Sequence, residues 1–86
     1  MEFEYDPAKS AANQKKHGID FVEAQELWAD RTVEKPLAHP AEVRMMRTGM
    51  IDGRLWSAIF TIRQERVRLI SVRRARPNEE HEYEHG

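Results

Sequence analysis

Apolar and polar residues alternate where the chain begins. Phe3 and Tyr5 stand between Glu2, Glu4 and Asp6, the pattern of a short strand with one buried face. Asp6-Pro7 then predicts a helix start, with Asp6 as the cap and Pro7 at the first helical position, where its missing N–H costs nothing. This helix is expected to run to about His17 and to stop at Gly18, which can take the left-handed conformation that ends helices. Lys15, Lys16 and His17 complement the negative end of its dipole. Asp20 and Glu23 are spaced as a capping box for a second helix, in which Phe21, Ala24, Leu27 and Trp28 form an apolar stripe. That helix is expected to stop near Asp30.

Beyond it the period changes from helical to alternating. Thr32 to Ala38 predicts a strand, which Pro36 restricts to a sheet edge or a bulge. Glu42–Ile51 and Arg54–Gln64 flank Asp52-Gly53, a dipeptide suited to a two-residue type I′ hairpin turn. Arg66 to Arg76 is a further strand rich in Val, Ile and Leu, and Pro77 opens a last acidic helix to about Glu84. The order β-α-α-β-β-β-β-α predicts an α+β fold. It has one antiparallel sheet, two N-terminal helices packed on one face and a short C-terminal helix.

The turns set the faces of the sheet. An Asp52-Gly53 turn pairs 51 with 54, 48 with 57, 46 with 59 and 44 with 61. For the next turn, a three-residue loop of Gln64, Glu65 and Arg66 pairs 63 with 67, 61 with 69, 59 with 71 and 57 with 73. That register gathers Trp56, Ala58, Phe60, Ile62, Ile70 and Val72 on one face, whereas a two-residue loop brings Ser71 and Arg73 among them. The other face then carries Arg44, Met46, Thr48, Ser57, Ile59, Thr61, Arg63, Leu69, Ser71 and Arg73. Its arginines and hydroxyls suit phosphate, which guanidinium forks bind bidentately. A solvated sheet face also uses Arg and Thr, for solubility and strand propensity. Arg47 points to the core side, where it must snorkel, pair with an acid or mark a bulge.

Length and charge narrow the function. Eighty-six residues allow one domain and a modest core, which excludes a second catalytic domain or a cofactor-binding superfold. There is no cysteine, hence no disulfide, thiolate metal site or thiol nucleophile. No apolar run exceeds three residues, as at Ala58 to Phe60, so neither a membrane span nor a secretory signal is expected and the protein reads as soluble and cytoplasmic. The net charge of −1 conceals a strong asymmetry. Residues 1–40 hold five bases and eight acids, residues 41–76 nine arginines and three acids, and residues 77–86 four glutamates and no lysine or arginine. Such a domain can present a positive face despite its overall charge. His81 and His85 have a spacing that can bind one ion, but they lie at a chain end, and no metal site or cofactor is expected.

The ordered residues resemble the BrnT-like ribonuclease toxins of bacterial type II toxin–antitoxin systems. The run F-x-Y-D-P-x-K-x-x-x-N-x-x-K-H-G-I-x-F-x-E-A, from Phe3 to Ala24, is similar to that family's opening motif. Arg44, Gly49, the T-x-R of Thr61 and Arg63, and the I-S-x-R-x-A of Ile70 to Ala75 match further on, as do Glu79 and Tyr83. Two departures are Tyr5, where Trp is usual, and an acidic tail where relatives are often basic.

The resemblance implies a RelE-like fold over a single domain, residues 1–86, and RNA cleavage that inhibits translation. It also implies a BrnA-like antitoxin that carries the DNA contact, and it leaves open a dimer or a heterotetramer with that antitoxin. The candidate catalytic residues are Arg63 and Arg73 for phosphorane charge, and His17, Lys9, Glu79 and Tyr83 for proton transfer or base stacking. Each also has a plain structural reading, as a dipole partner, a solvated charge or a packing residue. The candidate RNA-binding residues are Arg44, Thr61, Ser71, Arg74 and Arg76, while Asn13 and Asp6 read as structural. The competing expectation is a non-catalytic module that binds nucleic acid or protein through the arginine face.

Overall fold

The computed structural model describes residues 1–29 and 31–86, so the expected helix end near Asp30 lies outside the described residues. The elements are β1 (Phe3–Glu4), α1 (Pro7–His17), a 3₁₀ helix (Glu23–Trp28), β2 (Thr32–Leu37), β3 (Arg44–Ile51), β4 (Arg54–Arg63), β5 (Arg66–Arg74) and α2 (Pro77–His85). The strands form one sheet in the order β1-β5-β4-β3-β2. β2 is the edge strand that Pro36 requires. The α+β class holds, but the sheet is mixed rather than antiparallel, because β1 runs parallel to β5. No hairpin joins these two strands. The intervening chain supplies the long crossover that parallel pairing needs.

Local chemistry sets the helix boundaries. Asp6 Oδ1 accepts the Ala8 N–H at 2.9 Å, and Gly18 closes α1 with φ 84°. The second helix is 3₁₀ rather than α. Asp20 Oδ1 caps its start, accepting the N–H groups of Val22 and Glu23 at 3.0 and 2.8 Å. Phe21, Ala24 and Leu27 recur every third residue, which aligns them on one face at three residues per turn. All three are buried with Ile19, Ile51, Trp56, Ala58, Phe60, Val67, Leu69 and Val72 in the core between this segment and the sheet. Trp28 packs edge-on against both Phe3 and Phe60, at 5.2 and 5.0 Å between ring centres.

The first hairpin has the expected register, from Ile51↔Arg54 to Met46↔Ile59 and one pair beyond, with Asp52 and Gly53 both at positive φ. The second differs near its turn. Gln64 and Glu65 alone form the loop, at φ 52° and 64°, so Arg63 pairs with Arg66 and Phe60 with Leu69. A bulge then inserts Ile70, and the remaining pairs Ile59↔Ser71 and Ser57↔Arg73 are those expected from the three-residue loop. Leu69 therefore lies in the core, with Val67, instead of on the opposite face. Ile70 is only half-buried and Ile62 is 55% exposed, so neither is a core residue. Arg47 pairs with Glu34, donating from Nε at 2.6 Å, and its guanidinium lies 4.6 Å from the Trp28 ring centre.

α1 buries only Ser10 and Asn13. Asn13 Nδ2 donates to the carbonyls of Ile19 and Val72, both at 2.8 Å, and its Oδ1 accepts the Val72 N–H at 3.1 Å. Ser10 Oγ accepts the Phe21 N–H at 2.9 Å. Polar links thus hold α1 against β5 and satisfy β5 backbone groups past the end of β1. Asn13→Ala is expected to leave three buried backbone groups without partners and to cost about 3 kcal/mol. Urea denaturation checks this, and an unchanged midpoint would show that Asn13 does not hold the helix.

Candidate nucleic-acid interface

The sheet face opposite the core carries Arg44, Met46 and Thr48 from β3, Ser57, Ile59, Thr61 and Arg63 from β4, and Ser71 and Arg73 from β5. Part of this face is not solvated, because α2 packs against β2 and β3. Glu79, on the first turn of α2, is only 4% exposed. Its carboxylate accepts from Arg73 Nη1 at 2.8 Å and Nη2 at 2.9 Å, from Ser57 Oγ at 2.8 Å and from the Arg76 N–H at 3.0 Å. Ser57 Oγ is also 2.7 Å from Thr48 Oγ1, and both residues are buried. Lys35 Nζ donates to Glu82 Oε1 at 2.8 Å. Arg31 Nη2 donates to the Tyr83 carbonyl at 2.6 Å, with the guanidinium 4.3 Å from the Tyr83 ring centre.

Burial alone would raise the pKa of Glu79. The bonds from Arg73, the Arg76 backbone and Ser57 outweigh it and hold the carboxyl down at about 2. The same bond raises Arg73 above the usual arginine value against the opposing effect of its own burial. Glu79 is therefore ionised at neutral pH and a weak base there. It occupies the guanidinium edge that would otherwise take a phosphate.

The other sequence candidates are dispersed. Ser57 faces Arg73, and Arg63 stands six residues further along β4, roughly 20 Å away at strand rise. Arg63 is exposed beside an open hollow lined by Glu42, Val43, Met45, Thr61 and Ile62. Thr61 is buried and donates its hydroxyl to the Val43 carbonyl at 2.6 Å, while Arg44 Nε donates to Glu42 at 2.9 Å. Ser71 is half-buried on this face. Tyr83 lies one turn beyond Glu79 on α2, under Arg31. Lys9 is exposed and His17 half-buried on α1, which packs against β5, whereas α2 packs against β2 and β3. The Arg74 guanidinium lies 5.6 Å from the Trp56 ring centre, and Arg76 is exposed at the start of α2. Among the described residues there is no group of three or more His, Asp or Glu able to hold a metal ion.

Two residues that the sequence reading did not single out join this face. The two-residue turn places Arg66 opposite Arg63 and Arg68 opposite Thr61, which turns both side chains away from the core. The signal was present in the sequence: a Gln64-Glu65 turn together with one bulge satisfies the core as well as a longer loop does.

The Glu79 carboxyl has a lower pKa in the folded chain than its ordinary 4.5, so its stabilising effect is complete above that pH and is lost as pH falls through 4.5 toward 2. The effect is on the order of 3 kcal/mol. Glu79→Gln is expected to be less stable than wild type at pH 6, with the gap closing across that acid window. Urea midpoints measured across the window check this, and a constant gap would contradict the pairing.

No curated protein matches the chain. Residues 5–79 match the model of a family described as the ribonuclease toxin BrnT of type II toxin–antitoxin systems, a span that includes Arg44, Arg63, Arg73 and Glu79. The chain belongs to the BrnT family of ribonuclease toxins.

Proposed function

We propose that this protein is an endoribonuclease toxin of RelE-like fold that cuts RNA with side chains alone and so inhibits translation, until a cognate BrnA-like antitoxin covers it. In this reaction the 2′-hydroxyl loses its proton and attacks the adjacent phosphorus. The P–O5′ bond breaks, and the leaving oxygen takes up a proton, giving a 2′,3′-cyclic phosphate and a 5′-hydroxyl. Family membership supplies the reaction class, and the observation that carries the placement is the row of arginines on the sheet face opposite the core.

Charge developing on the phosphorane needs preorganised cations. We assign this task to Arg63, which is exposed beside the hollow, with Arg44 at its flank. Arg73 acts in this reading through Glu79, by fixing α2 to the sheet. Glu79 takes no part in proton transfer, because its depressed basicity suits it to pairing.

Purified protein is expected to cleave RNA in the presence of EDTA and to leave 5′-hydroxyl ends. Arg63→Ala should lower kcat/KM by about 100-fold with the fold intact, the typical effect of losing one charge-stabilising donor. Induced expression should arrest translation, and co-expressed antitoxin should relieve the arrest. Activity seen only with a divalent ion would overturn the metal-free mechanism. RNA binding with no cleavage under any condition would favour the non-catalytic module.

A further inference from the structure

Three arginines meet where the β4–β5 hairpin closes. Arg63 and Arg66 stand directly opposite each other, and Arg68, opposite Thr61, follows on the same face. Met45 pairs with Phe60, which puts Arg44 level with Thr61 on the far side of β4. Like charges directly opposed across an antiparallel pair destabilise it, and a neutral pair would serve the turn equally well. Local rules broken in this way concentrate at functional sites.

The neighbouring acids compensate little. Glu2 Oε2 lies 3.9 Å from Arg66 Nε, and Glu4 Oε1 lies 3.9 Å from Arg68 Nη1, both beyond hydrogen-bond distance. Glu4 Oε1 is buried with no hydrogen-bond partner, so this carboxylate is not matched to the guanidinium beside it. Arg73 and Arg47, by contrast, are closely bonded to carboxylates, and the flanking Arg44 bonds Glu42 through Nε alone at 2.9 Å. The side chains of Arg66 and Arg68 keep 48% and 32% of their surface exposed.

We infer that Arg63, Arg66 and Arg68, flanked by Arg44, form a phosphate track for the backbone of single-stranded RNA, separate from the Arg73–Glu79 pair. Arg66 and Arg68 are two residues apart on one face, about 6.6 Å at strand rise, close to the separation of successive phosphates along an extended strand. Each guanidinium edge matches a phosphate bidentately. The track crosses two strand spacings, about 10 Å, which is room for one backbone rather than two. The identity of the polyanion rests on the ribonuclease reading.

The test is fluorescence anisotropy with a labelled single-stranded RNA whose 2′-hydroxyls are methylated, so that binding is read without cleavage. With about four phosphates neutralised, log K against log salt should have a slope of roughly −3 for wild type. Arg66→Gln/Arg68→Gln should reduce the slope to roughly −1.5 and weaken binding about tenfold or more at low salt. Arg66→Lys/Arg68→Lys should keep the slope, and thermal melts confirm that the variants fold. A Gln variant with wild-type slope and affinity overturns the track, and so does a wild-type protein that does not bind. Loss of antitoxin capture with RNA binding unchanged would reassign the patch to an acidic protein segment. Wild type that binds the methylated strand with this slope yet never cuts the unmodified one would defeat the ribonuclease reading and leave the track standing.

Discussion

Ile70 is the extra residue that β5 inserts between Leu69, opposite Phe60, and Ser71, opposite Ile59, and the composition of both sheet faces follows from it. On the turn side of the bulge, Val67 and Leu69 point into the core and Arg66 and Arg68 away from it. On the other side, Val72 points in and Ser71 and Arg73 point out. Without the insertion the strand would have to bury either Arg68 or Arg73, because side chains alternate strictly along an unbroken strand. A charged group in that core would lack the solvation that makes its ionised form affordable. The bulge lets a nine-residue strand keep its apolar and polar positions correctly sided at both ends.

The second face is closed differently from the first. The core side is filled by aromatic and aliphatic side chains, whereas α2 is attached by ions and hydrogen bonds, with Glu79 its only buried residue. A buried carboxylate is tolerated because it is multiply bonded. Two donors come from Arg73, one from Ser57 and one from the Arg76 backbone. Such an arrangement contributes less net stability than apolar packing, but breaking it leaves an uncompensated charge inside. It therefore specifies where the helix sits more strongly than it adds to the stability of the fold.

Much of this was legible in the sequence. Asp6, Gly18, Asp52-Gly53 and Pro36 each carry a local rule strong enough to fix a boundary, and the structure follows all four. That Arg47 needed an accommodation on its core-facing position was legible too, and of the three open to it, snorkelling, an acid or a bulge, it takes the acid. What could not be read came from interactions across the chain. β1 is two residues long and joins β5 with no turn to fix its direction. The 3₁₀ geometry of Glu23–Trp28 depends on a three-residue repeat that an α-helix also accommodates. The bulge was hidden because one burial pattern fits two registers. At the candidate site, the shared face of Arg63 and Arg73 was visible, but the roughly 20 Å between them, the capture of Arg73 by Glu79 and the presence of Arg66 and Arg68 required the folded pairing.

The charge blocks acquire meaning only after folding. The acidic C-terminal block lays Glu79 on Arg73 and Glu82 on Lys35, and the acidic start of the chain lies along β5 with Glu2 and Glu4 near Arg66 and Arg68. These neutralise unequally. In the Arg73 pair the carboxylate is buried and within hydrogen-bond distance, so water and salt weaken it less. The pairs at 3.9 Å are partly exposed and worth at most about 1 kcal/mol, which a polyanion can outbid. Among the described residues Arg63 makes no ion pair within 4.0 Å. Overall neutrality thus coexists with two classes of arginine, one committed to holding the helix and one open to an anion, and distance and burial separate the classes where total charge does not.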